Sequence, residues 1–147
     1  MIAIDKNAQE LAETKNSSMK IVMDARDLKF LENTFEVVTL FFTLIYIPFH
    51  DHLRIFQEVG RVLQHGGDSY VWDMNMHLLD DPTKLYFGMR LKIVLLNKAM
   101  LESGYASKVR VQTFSMIASS AQSAGLTLIE MQEEGNVFSL HFRKDVN

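Results

Sequence analysis

A chain of 147 residues has the length of one domain, and with 48% hydrophobic residues it can bury a core of its own. A formal charge of −3 gives no broad basic face for nucleic acid, and the lack of cysteine excludes disulfides, thiolate chemistry and cysteine-held zinc or iron–sulfur sites. No apolar run reaches the roughly 18 residues of a membrane helix, and the start Met1-Ile2-Ala3-Ile4-Asp5 lacks the order of a signal peptide, so a cytoplasmic protein is expected.

Met1–Ile4 is a short apolar strand closed by Asp5. Lys6–Lys15 reads as a helix with Ala8, Leu11 and Ala12 on one face and Asp5 or Asn7 as its cap. Asn16-Ser17-Ser18 is a turn, Met19–Met23 a strand and Asp24–Asn33 a loop. Phe35–Phe42 is nearly all apolar, as in a strand covered on both faces. Asp51 is expected to cap a helix running to about Leu63, with Leu53, Phe56, Val59, Val62 and Leu63 inward. Gly66-Gly67 is expected to end that helix and turn the chain into a strand, Tyr70–Asp73, on which Tyr70 and Trp72 read as core packing.

Asp80-Asp81-Pro82 breaks the chain, and beyond it the periodicity of Leu85–Leu101 does not choose between helix and strand. Gln112–Ala124 is a helix with Phe114, Ile117, Ala118 and Ala121 inward, stopped by Gly125. Leu126–Met131 and Val137–Phe142 flank the turn signal Glu133-Glu134-Gly135-Asn136 and read as a closing antiparallel hairpin. Nine methionines read as soft core filling, and no internal repeat is evident. Alternating strands and helices give an α/β fold, mostly parallel, with an antiparallel strand near the C-terminus.

Three motifs share one order: Asp24-Ala25-x-x-Leu28-x-Phe30, then Phe35-Glu36-Val37-Val38, then Glu58-x-x-Arg61-Val62-Leu63-x-x-Gly66-Gly67. Together they resemble the middle of a class I S-adenosylmethionine-dependent methyltransferase of the small-molecule branch. The likeness runs from about Met1 to Arg143 within a single domain, 1–147, and is loosest between Met76 and Val111, a substrate-side insertion. It implies a Rossmann-like sheet, S-adenosylmethionine as cofactor and methyl transfer to a small molecule. His65 stands where the family usually has proline.

Asp5 and Asp24 end consecutive strands, and open α/β sheets bind ligands outside such ends. The resemblance maps Asp5 onto the ribose hydroxyls, and a helix cap is the structural alternative. It maps Asp24 onto the adenine amino group and the Ala25 amide onto a ring nitrogen, with an Asx-turn as the alternative for Asp24. It places the backbone carbonyl and apolar side chain of Phe42 and Thr43 against sulfonium and adenine, with plain packing as the alternative. Asp73 ends a strand, either capping the next segment or facing substrate. His50-Asp51-His52 has a chelating pattern when extended, without an evident third ligand. His77 and Tyr86 are acid–base candidates at the acceptor side, or surface residues.

The family's glycine-rich loop after the first strand has no counterpart among the seven glycines. In the family's order Met1–Ile4 is the second strand, so the resemblance implies an N-terminally truncated sheet. The unpaired edges of Met1–Ile4 and Phe35–Phe42 must then pair with each other or be covered by another chain, and a homodimer is expected. The alternatives to a methyltransferase are a non-catalytic binding or dimerisation module of the same ancestry and a generic nucleotide-binding α/β domain.

Overall fold

The computed structural model describes residues 1–76, 85–95, 97–108 and 110–146. Strand β1 (Ile2–Asp5) pairs in parallel with β2 (Met19–Val22), placing Asp5 beside Val22. Helix α1 (Ala8–Glu13) makes the crossover and is shorter than the sequence pattern suggests. Asn7 caps it by accepting from the Gln9 amide, and Leu11 is its buried anchor.

A separate four-stranded sheet has the order β3 (Phe35–Phe41), β4 (Leu63–Met74), β8 (Val137–Lys144), β7 (Leu126–Glu134). β3 and β4 are parallel, whereas β4–β8 and β7–β8 are antiparallel, so this sheet is mixed rather than mostly parallel. The expected C-terminal hairpin forms, and Gly125 stops the preceding helix at φ +87°, a conformation that suits glycine.

Helices α2 (Phe49–Val62) and α3 (Phe114–Ser123) share one face of this sheet. Ile55, Phe56 and Val59 meet Ile117 and Ala121 over Val71, Leu140 and Phe142 in one apolar core. Leu53, expected inward, is 40% exposed; His52 and Ile55 take the buried positions instead. Pro48 occupies the N-cap and Asp51 lies within the first turn, correcting its assignment as the cap. The pair Gly66-Gly67 does not end α2. β4 already begins at Leu63, and its pairing with β3 steps from Phe35–Leu63 to Val37–Asp68 across an irregularity that contains both glycines. A Cβ on Gly67 would lie 2.9 Å from the Gln64 and Glu36 carbonyl oxygens, which explains glycine there.

The opposite face of β4 and β8 carries Tyr70, Trp72, Ser139 and His141, which line a shallow groove together with Glu130 and Gln132. Tyr70 stacks between Trp72 (5.9 Å) and His141 (4.4 Å), half-buried rather than in the core as expected. β3 is likewise not covered on both faces: Val37 is 51% and Phe41 42% exposed, and β4 is its only partner among the described strands. β1 pairs with β2 and not with β3, so the two edges do not close on each other.

The stretch left open by periodicity is a long antiparallel hairpin, β5 (Tyr86–Val94) and β6 (Met100–Lys108). Phe87, Met89, Leu91 and Tyr105 form its inner face, packed on Phe42, Ile45, Met74 and Met76. Asp80-Asp81-Pro82 and His77 lie outside the described residues. Among the described residues no helix is long and apolar enough to cross a membrane.

The loop from Asp24 to Thr34 joins the two parallel pairs and is held by α2. Glu58 Oε2 accepts the Leu28 amide at 2.7 Å. Arg61 donates to the carbonyls of Phe30 (2.8 Å) and Leu28 (2.7 Å) while its guanidinium grips Glu58. These are the motif residues Glu58 and Arg61, one helical turn apart, so both reach the same loop. Replacing Arg61 by alanine frees two carbonyls and leaves Glu58 without its guanidinium partner. The expected loss is on the order of 1–2 kcal/mol in urea unfolding, after discounting for solvent screening, and Arg61→Lys is expected to recover little because a lysine lacks the fork. Wild-type stability in Arg61→Ala would contradict this account.

Candidate functional site

The carboxyl ends of β1, β2 and β3 carry the polar residues singled out in the sequence. Asp5 ends β1, and its backbone carbonyl accepts the Met23 amide at 3.0 Å, so Asp5 and Asp24 close neighbouring parallel strands. The Asp5 side chain is exposed, and its Oδ1 accepts the Asn7 amide at 2.7 Å. It therefore orders the helix start while keeping acceptor capacity free.

Asp24 is more fully engaged. Its Oδ1 accepts the Arg26 amide at 2.9 Å, an Asx-turn. The Arg26 guanidinium donates to both carboxylate oxygens, Nη2 reaching Oδ2 at 2.6 Å. Those side-chain bonds, with the Arg26 amide, hold the Asp24 carboxyl down to about 2. Arg26 Nη1 also reaches Asp51 Oδ2 at 2.8 Å, tying the β2 end to the first turn of α2, where a carboxylate suits the helix dipole. Ala25 is half-buried against the main core.

Phe42 and Thr43 stand at the end of β3, in the sheet that does not pair with β1–β2. Phe42 is buried and left-handed, φ 47°, an unusual conformation for a bulky residue. Its amide donates to the Trp72 carbonyl at 2.7 Å, and its ring stacks on Tyr105 at 4.8 Å. Thr43 Oγ1 donates to the Phe41 carbonyl at 3.3 Å, and a short 3-10 turn, Leu44–Tyr46, follows.

Asp73 does not face open solvent, being wholly buried. Its Oδ2 accepts the Leu44 amide at 3.0 Å, and its Oδ1 accepts the Met74 amide at 2.9 Å and Gln112 Nε2 at 2.9 Å. Burial pushes its carboxyl up to about 6 against the pull of these donors.

His50 and His52 sit in a helix rather than an extended segment, so the chelating pattern is not formed. His50 is exposed, whereas His52 is buried with Nε2 3.1 Å from the Ile47 carbonyl; desolvation depresses its pKa and keeps it neutral. Tyr86 is exposed at the start of β5. Sequence reasoning missed Arg26, whose spacing two residues after Asp24 was the available signal, and the Asp73–Gln112 pair, for which no local signal existed.

Residues 1–71 match the family model described as a methyltransferase domain. The fold is similar to an S-adenosylmethionine-dependent methyltransferase of Methanosarcina mazei, with a TM-score of 0.70, 15% identity, and coverage of 98% of this chain and 81% of that one. It is similar to the PH0226 protein of Pyrococcus horikoshii at a TM-score of 0.74 and 15% identity, covering 98% and 71%. It also resembles the cyclase SpnF at a TM-score of 0.69 and 12% identity, covering 98% of this chain and 65% of the cyclase. At these identities the likeness shows the fold. No curated protein matches the chain in sequence.

The carboxylates of Asp73 and Asp24 shift in opposite directions, which fixes opposite pH effects. Asp73, raised from 3.8 to about 6, binds its proton more tightly folded than unfolded. Its contribution is fully present below about pH 4 and falls as pH rises to about 6, by at most about 3 kcal/mol at ~1.4 kcal/mol per unit. Asp24, lowered, contributes above its unfolded value and loses that contribution as pH falls toward 2. Urea unfolding between pH 3.5 and 7 is expected to show a downward component that disappears in Asp73→Asn; an unchanged profile in the variant would reject it.

Proposed function

We propose that this chain is a member of the S-adenosylmethionine-dependent methyltransferase family, binds S-adenosylmethionine across the carboxyl ends of β1, β2 and β3, and serves methyl transfer to a small-molecule acceptor. The observation that carries this is the pairing of β1 with β2, which sets the acidic residues Asp5 and Asp24 side by side at the ligand-binding end of parallel strands. A pair of acceptors at that end fits a ligand rich in hydroxyl and amino donors, and a ribose joined to adenine is one.

In this reading Asp5 accepts from the ribose hydroxyls, since its exposed carboxylate has one oxygen uncommitted. Asp24 accepts the adenine amino group beside its bond to Arg26, with the Ala25 amide addressing a ring nitrogen. Phe42 and Thr43 border the sulfur-bearing end. The bound cofactor supplies a methyl group on a positively charged sulfur; the protein's part is to hold donor and acceptor in line. The inner face of the β5–β6 hairpin, with Tyr105 against Phe42, stands on the acceptor side.

A homodimer is part of the proposal. Among the described residues β1 and β3 each present an unpaired edge, and β3 adds the exposed side chains of Val37 and Phe41. A second copy would cover backbone and apolar surface together. Light scattering is expected to give a dimer mass, and a monomer that persists at tens of micromolar would sink this part.

Calorimetry with S-adenosylmethionine tests the binding itself. Asp5→Ala and Asp24→Ala are each expected to weaken it by about tenfold to a hundredfold, the loss of a hydrogen bond to a charged group. Parent-like binding in both variants would refute the assignment.

A further inference from the structure

The turn after β3 is held in place by groups that belong to neither β3 nor the turn. Phe42 adopts a left-handed conformation that a bulky side chain keeps only where its surroundings over-determine it. One restraint comes from below, where the Leu44 amide donates to Asp73 at the end of β4. Another comes from the hairpin, where Ser107 Oγ on β6 donates to the Ile45 carbonyl at 2.8 Å.

We propose that Asp73 and Ser107 are positioning residues that clamp the Phe42–Tyr46 turn from two sides and so set the geometry with which it meets the ligand. The ligand half of this inference rests on the binding reading above; the clamp itself does not.

Burial argues for a positioning role. Asp73, Ser107 and Gln112 are all buried polar side chains, and polar groups are expensive in such places unless their partners matter. Asp73 is itself fixed before it fixes anything else. Gln112 Nε2 bridges its carboxylate and the Met74 carbonyl, at 2.9 and 3.1 Å. Gln112 is anchored in turn by reciprocal backbone bonds with Met76 at 2.7 and 2.9 Å. The carboxylate is therefore a rigid acceptor that presents Oδ2 to the Leu44 amide. An apolar residue could fill its volume and would leave the Leu44 N–H unpaired.

Ser107 makes the clamp a coupling. It lies on the hairpin whose neighbouring residue pair, Phe42 and Tyr105, is stacked at an interplanar angle of 28°. The Ser107 hydrogen bond and the Phe42–Tyr105 ring contact are thus two ties by which the hairpin holds the turn. Displacing β6 must strain or break a bond to the turn, so the acceptor side and the cofactor side of the proposed site are mechanically joined through Ile45.

The test compares Asp73→Asn and Ser107→Ala with Asp68→Asn. Asp68 lies five residues back on the same strand and pairs with His141 and Arg143, at 2.7 and 2.9 Å, away from the turn. The first readout is the affinity for S-adenosylhomocysteine by calorimetry, well below each variant's unfolding temperature. Roughly tenfold weakening is expected for Asp73→Asn and several-fold for Ser107→Ala, with Asp68→Asn unchanged. The second readout is amide hydrogen exchange at Leu44 without ligand, expected to quicken in both clamp variants and not in Asp68→Asn. Wild-type affinity in both clamp variants, or equal weakening in Asp68→Asn, overturns the positioning role. Should the wild-type chain not bind S-adenosylhomocysteine, the binding reading fails, and exchange at Leu44 still decides the clamp. Should Asp73→Asn fail to fold, Ser107→Ala carries both readouts.

Discussion

The grip of α2 on the backbone of residues 28–30 is the constraint from which the rest follows. β1–β2 and the four-stranded sheet share no strand pairing. What joins them is a loop whose carbonyls and amides would otherwise seek water, and α2 answers those groups with charged side chains. Arg54 takes the Arg26 carbonyl at 2.8 Å, Glu58 takes the Leu28 amide, and Arg61 takes the Leu28 and Phe30 carbonyls. Leu28 is driven inward between them. One helix thus presents Ile55, Phe56, Val59 and Val62 to the core and, on its flank, a row of charges to the loop. Where Asp24 stands relative to Phe42 depends on that division of faces.

The same division explains why two aspartates at strand ends behave oppositely. Asp24 stands at the surface with a guanidinium across both oxygens, so the charged form is favoured. Among the described residues only neutral donors reach Asp73, so burial dominates and the proton is held longer. The first arrangement suits an acceptor that must stay ionised near a ligand. The second suits a fixed internal post, where geometry matters more than charge.

Much of the order of elements was legible in the sequence because local signals agree there. Gly125 after an amphipathic run and Gly135-Asn136 between apolar strands each name their turn, and α3 and the β7–β8 hairpin follow. β3 misled because its composition is that of a buried strand while Val37 and Phe41 emerge on an uncovered face; which face a neighbour covers is tertiary information. Phe87, Met89 and Leu91 alternate with Gly88, Arg90 and Lys92 as a strand should, yet exposed apolar residues at the hairpin ends, Tyr86, Val94 and Met100, blur the period. Gly66-Gly67 looked like a helix stop and is a close approach of two backbones instead. The pairs that set the site, Arg26 with Asp51 and Asp73 with Gln112, span 25 and 39 residues, beyond any local pattern.

The engagement of Asp24 sharpens what a ligand must do there. Both of its oxygens already accept from Arg26, so the amino group proposed to bind there would share a carboxylate rather than find a vacant one. Sharing is feasible because an ionised carboxylate has about four acceptor directions, and the arginine secures the ionised form. Arg26 is in turn oriented by Asp51, which α2 carries in its first turn. In the proposed reading, recognition at the end of β2 is therefore a property of a chain of three charges ending on a helix of the other sheet. The carboxylate proposed to meet the ligand is aimed by the same helix that holds the loop and builds the core.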